Sequence, residues 1–138
     1  LEQALYLADI SLDLEVLMEA QVPGLGICLG HELIAATHGA DTERLPAVFE
    51  EREEVRVLKK NDLFEGLPDT FTVQLATHAQ VASLPDGFEL LATSPSFPYL
   101  AVKHSHKPIY GTQFHPKVSG EVGAQILANF LKVCEGGQ

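Results

Sequence analysis

Two cysteines and six histidines carry the chemistry this sequence could do. Cys28 stands in the segment Gly24-Leu25-Gly26-Ile27-Cys28-Leu29-Gly30-His31-Glu32-Leu33. A short apolar run leads into the cysteine, Gly26 and Gly30 flank it at two residues' distance, and a helical pattern begins at once. That order puts a thiol on a tight strand-to-helix turn, the arrangement that presents a nucleophile. The glycines let neighbouring backbone pack close without a Cβ clash. A helix N-terminus beneath the sulfur favours the thiolate, and the N–H of Leu29 would point at a developing oxyanion. The plainer reading is a buried, inert cysteine in a strand–helix connection, and this short motif alone leaves both open. Cys134 has no such surroundings and reads as a core residue on a helix face.

A cysteine nucleophile needs a base, usually a histidine that the fold brings near. Among His31, His38, His78, His104, His106 and His115, the last is best placed. It follows the apolar run Ile109-Tyr110-Gly111-Thr112-Gln113-Phe114 and precedes Pro116. It therefore lies just past the C-terminal end of a strand, where active sites of open α/β sheets gather. Taken alone, it reads equally as a loop histidine capping a strand.

The elements that must position these groups follow from periodicity. Residues 1–20 read as a helix, stopped by Pro23 and Gly24. Residues 25–27 are of strand type, and residues 29–38 return to a helical pattern, with Gly39 as C-terminal cap. Residues 54–59 and 71–75 alternate apolar and polar side chains, as half-exposed strands do, around a turn-rich stretch at 61–68. Three more strands are expected at 88–93, 99–103 and 109–114. A closing helix spans residues 121–133, with Val122, Ile126, Leu127, Phe130 and Leu131 on its buried face. This mixture favours a layered α/β fold.

Size and composition bound the function. The 138 residues suit one domain, and 46% apolar with 20% charged residues is the balance of a globular protein. No apolar run reaches membrane-span length and no leader peptide is visible, so the cytoplasm is the expected location. A net charge of −10 argues against general nucleic-acid binding. Two cysteines form neither a disulfide framework nor a metal cluster, and no Gly-x-x-x-x-Gly-Lys loop offers to cradle ATP. Neither metal nor cofactor is expected.

Ile27-Cys28-Leu29-Gly30-His31 with Leu33, and Pro108-Ile109-Tyr110-Gly111-Thr112-Gln113-Phe114-His115-Pro116, together resemble the paired signature of class I glutamine amidotransferases. Asp62-Leu63-Phe64-Glu65-Gly66-Leu67-Pro68, Thr77-His78 and residues 84–94 fit the same register, and within the family they are most similar to the GMP synthase type. The resemblance runs from about Val22 to Cys134. It implies a three-layer α/β/α, flavodoxin-like domain over residues 1–138. It also implies Cys28 as nucleophile towards the glutamine side-chain amide and His115 as proton acceptor and donor. Gly26, Leu29, Gly30, Glu32, Thr77 and His78 would bind the substrate, and ammonia would pass to a synthetase partner. His31 would be a helix residue beside the nucleophile and not the base.

Four departures from the family pattern stand out. Lys117 occupies the position of the triad glutamate, and a lysine cannot accept a hydrogen bond from imidazole. Glu32 replaces a substrate-contacting glutamine, and its charge should raise the cysteine's pKa. Ala79-Gln80 replaces a Gly-Asp pair. The family's N-terminal βαβ unit, with its Gly-Gly oxyanion loop, is not visible in residues 1–20. The expected fold therefore lacks that unit, and a homodimer is expected to cover the open sheet edge. Two other readings accompany glutamine hydrolysis. One is a relative with lost or reduced glutaminase activity that binds or regulates. The other is a Cys-His γ-glutamyl hydrolase.

Overall fold

The computed structural model describes residues 5–6, 23–60, 62–116 and 119–136. In chain order the elements are β1 (Leu5–Tyr6), β2 (Gly24–Ile27), α1 (Leu29–Thr37), β3 (Thr42–Val57) and β4 (Thr70–Val81), then β5 (Phe88–Thr93), β6 (Ala101–His104), β7 (Ile109–Thr112) and α2 (Gly120–Gly136). The strands form one sheet in the order β1-β2-β7-β6-β5-β3-β4. The first three run parallel, and every later neighbour is antiparallel. β2 and β7 are buried along their whole length, as a parallel centre covered on both faces requires.

The helix expected over residues 1–20 is not what Leu5–Tyr6 adopts. These two residues pair with Gly24 and Leu25 as a short strand, so sheet pairing overrides an approximate helical period. The remainder of that stretch lies outside the described residues. None of the helices described is long and apolar enough to cross a membrane.

Side-chain alternation explains the layering. Ile109 joins Ile34 of α1, Phe88 and Val102 in one apolar cluster. Its neighbour Tyr110 joins Leu25, Ala101, and Ile126 and Phe130 of α2 in the other. Successive strand residues point to opposite faces, so α1 and α2 cover opposite faces of the sheet. This is the expected α/β/α arrangement. α1 ends where Gly39 takes φ +81° and its N–H bonds the Ala36 carbonyl, a left-handed cap that glycine adopts without strain.

β3 is far longer than the strand expected at 54–59. It pairs with β5 only through Arg56 and Val57, while β4 accompanies it from Thr42 to Arg56. Most of β3 and β4 thus forms a two-stranded arm leaving the sheet where β5 ends. The arm is irregular between Arg44 and Phe49, the stretch that holds Pro46. Proline, lacking a ladder N–H, is tolerated at such a bulge. Phe49 anchors the arm by packing edge-on against Phe97, with ring centroids 5.0 Å apart.

Candidate active site

Because β2 and β7 are parallel, their C-terminal ends share one edge of the sheet. Cys28 follows β2 directly and precedes α1. Its backbone has φ 53° and ψ −106°, and among the described residues it alone takes a positive φ without being glycine. Such a conformation costs on the order of 1–3 kcal/mol and persists where neighbours over-determine it. Here its N–H bonds the Thr112 carbonyl of β7 at 2.9 Å. Gly26 makes the turn possible, since a Cβ there would fall 2.7 Å from the backbone C and O of Gly30. Gly26 and Gly30 are buried, and the Leu29 side chain faces solvent as the first residue of α1.

The Cys28 thiol donates to the Gln113 carbonyl at 3.0 Å. One turn into α1, Glu32 accepts from the Gln113 side-chain amide at 3.0 Å. The same amide nitrogen reaches Thr77 Oγ1 at 3.1 Å, and the Thr77 hydroxyl in turn donates to the Ala79 carbonyl at 2.8 Å. One side chain thereby ties the nucleophile helix, the end of β7 and the arm together. Burial, and secondarily the Glu32 carboxylate, push the Cys28 thiol up from 9.0 to about 11. The helix terminus expected to favour thiolate is therefore outweighed in this resting arrangement.

His115 lies beyond the end of β7, two residues after Gln113, on an exposed stretch of the same edge. Its carbonyl accepts from Ser119 Oγ at 3.0 Å. Lys117 lies outside the described residues. Of the Thr77-His78 pair only Thr77 turns inward; His78 points to the other side of β4, into solvent.

His31 is fully buried, and a nitrogen of its ring lies 3.0 Å from the Tyr99 carbonyl. A carbonyl only accepts, so this Nε2 carries the proton and donates. Burial drives its pKa from 6.5 down to about 4, against that bond's opposite effect. The ring is neutral, held in the core and unsuited to serve as base. Gly111 makes room for it, because a Cβ at 111 would stand 2.3 Å from His31 Nδ1.

The sequence does not by itself mark Gln113, Gly111 or Tyr99 as site residues. The available signal was a glutamine within an apolar strand run, since buried polar side chains are normally paired. Among the described residues no three His, Cys, Asp or Glu side chains converge as a metal-holding group. A cavity of about 310 Å³, lined by Glu54, Arg56, Thr93, Ser94 and Pro95, opens at the β3–β5 junction. None of the residues around Cys28 lines it. What the geometry assembles is a strained thiol on a helix N-terminus, with a polar network beside it and a histidine on the adjoining segment.

Comparison with known proteins agrees with this arrangement. The family model for glutamine amidotransferase class-I matches residues 9–134. The glutamine-hydrolyzing subunit of GMP synthase from Methanocaldococcus jannaschii is 44% identical over 122 residues, covering 88% of this chain and 65% of that protein. The Pyrococcus furiosus protein of the same name is 45% identical over the same shares. The chain thus spans somewhat less than two thirds of the length of these relatives. The solved structure of a GMP synthase subunit protein from Thermoplasma acidophilum superposes with TM-score 0.82 at 32% identity, covering 88% of this chain and 62% of that one. A glutamine amidotransferase from Thermotoga maritima shares the fold, with TM-score 0.71 at 23% identity over 92% of this chain and 54% of that one.

Proposed function

Since the chain belongs to the class I glutamine amidotransferase family, we propose that it hydrolyses glutamine at Cys28 and passes the ammonia to a GMP-forming synthetase subunit. The observation that carries this reading is the left-handed Cys28 turn at the head of α1. Its thiol is bonded to the residue two positions before His115.

The chemistry follows from the groups present. His115 takes the thiol proton, and the sulfur attacks Cδ of the glutamine side chain. The C=O π pair moves onto oxygen, which the Leu29 N–H at the helix terminus stabilises. Collapse expels ammonia, protonated by His115, and leaves a γ-glutamyl thioester. Water, losing a proton to His115, then displaces the sulfur and releases glutamate. Thr77 belongs to the substrate side of this site. His78 faces away from it, so Thr77 is the stronger candidate of the two.

A second reading is favoured by Glu32: a member with reduced glutaminase activity. Its carboxylate raises the thiol's pKa in the arrangement described. One assay separates the two readings. Ammonia released from glutamine is measured with and without a GMP-forming synthetase subunit, for the parent chain, Cys28→Ala and Lys117→Glu. The proposal expects synthetase-dependent release that falls at least about 100-fold in Cys28→Ala and rises in Lys117→Glu. Release unaffected by Cys28→Ala contradicts it. Absence of release from the parent chain, with gain in Lys117→Glu, supports the second reading.

A further inference from the structure

Gln113 is 1% exposed, and it engages the site from three directions. Its backbone carbonyl accepts the Cys28 thiol. Its backbone N–H bonds the Leu100 carbonyl at 2.8 Å, pinning it to the loop before β6. Its side-chain amide donates to Glu32 and to Thr77. The acceptor for the thiol and the donor for the carboxylate therefore belong to one residue. The separation between sulfur and carboxylate charge is set by the internal geometry of a single buried glutamine.

We propose that Gln113 is a positioning residue that holds the Glu32 carboxylate beside the Cys28 thiol and so keeps the resting thiol protonated. Glu32 is only partly buried. Without the amide, its flexible side chain swings to water, where its charge is hydrated and screened. The sulfur then loses the negative neighbour that disfavours its ionisation. Thr77 shares the same amide nitrogen but carries no charge, so its bond affects the arm and not the titration.

The inference rests on the amidotransferase reading for its biological meaning, but its test does not. The readout is the pH dependence of Cys28 alkylation by iodoacetamide in the intact chain, with Cys134→Ser as the background. Thiolate is the reacting form, so the midpoint reports Cys28 directly, whether or not glutamine is hydrolysed. Gln113→Met and Glu32→Gln are each expected to lower the midpoint, which raises the alkylation rate near pH 8 several-fold. Gln113→Met in the Glu32→Gln background is expected to add nothing, because the charge it positions is already gone. Thr77→Val is expected to leave the midpoint in place. Gln113→Asn keeps the polarity but falls one methylene short of Glu32, and it replaces Gln113→Met if that variant does not fold. A midpoint unchanged in Gln113→Met, or lowered equally with and without the Glu32 carboxylate, overturns the proposal, since general loosening of the core would do the latter. A failed glutaminase assay with these shifts intact would sink the proposed reaction and leave the positioning role standing.

Discussion

At the residue scale, Cys28 and His31 sit three positions apart on one turn and are both held uncharged by burial, with opposite consequences for pH. The thiol's folded pKa is raised, so its contribution to stability is present below about 9 and lost as pH climbs towards about 11. The imidazole's folded pKa is depressed. Its contribution is full above 6.5 and is lost as pH falls towards about 4. For a ring this buried, the acid-side loss is on the order of 3 kcal/mol. His31→Gln should flatten the fall in denaturation midpoint between pH 7 and pH 4.5, followed by urea unfolding. A variant as acid-sensitive as the parent would show that His31 is not the buried group being charged. The motif around Cys28 was legible in the sequence because nucleophile, flanking glycines and helix start are contiguous. Gln113 was not, because its partners Glu32 and Thr77 come from elements 81 and 36 residues away.

At the scale of elements, the site depends on how closely α1 approaches the sheet. Gly111 lies opposite Gly26 across the β2–β7 pair, and both glycines lack a side chain where α1 passes over them. At Gly111 the obstruction is a ring already fixed by its bond to Tyr99. Gly111→Ala is therefore expected to lose about 1–3 kcal/mol of stability through overpacking, read as a drop in Tm. A Tm equal to the parent's would mean that α1 shifts without cost. The strands at 88–93 and the helices after Cys28 and Gly120 were readable because their apolar period matches their final burial. The arm was not. Its Glu50-Glu51-Arg52-Glu53-Glu54 run and Pro46 argue against strand by propensity. Pairing with β4 over eleven residue positions overrides that, as β propensity commonly yields to context. Thr77 reaches the site only because this arm exists.

At the scale of the whole molecule, the parallel β1-β2-β7 group supplies the edge on which chemistry gathers, and the antiparallel strands supply the arm that reaches back to it. The family and the layered fold follow from this arrangement together with the matched family model. The claim that depends on all of it is that Cys28, and not Cys134, is the thiol that meets glutamine. Cys134 packs partly buried against the main core from α2, far along the chain from the Gly26–Gly30 turn. Intact-mass and peptide mapping after treatment with a glutamine-analogue chloroketone tests this directly, in the presence of the GMP-forming synthetase subunit. A single adduct on Cys28, suppressed by excess glutamine, is the result expected. An adduct on Cys134, or labelling of Cys28 that glutamine does not slow, would contradict the account.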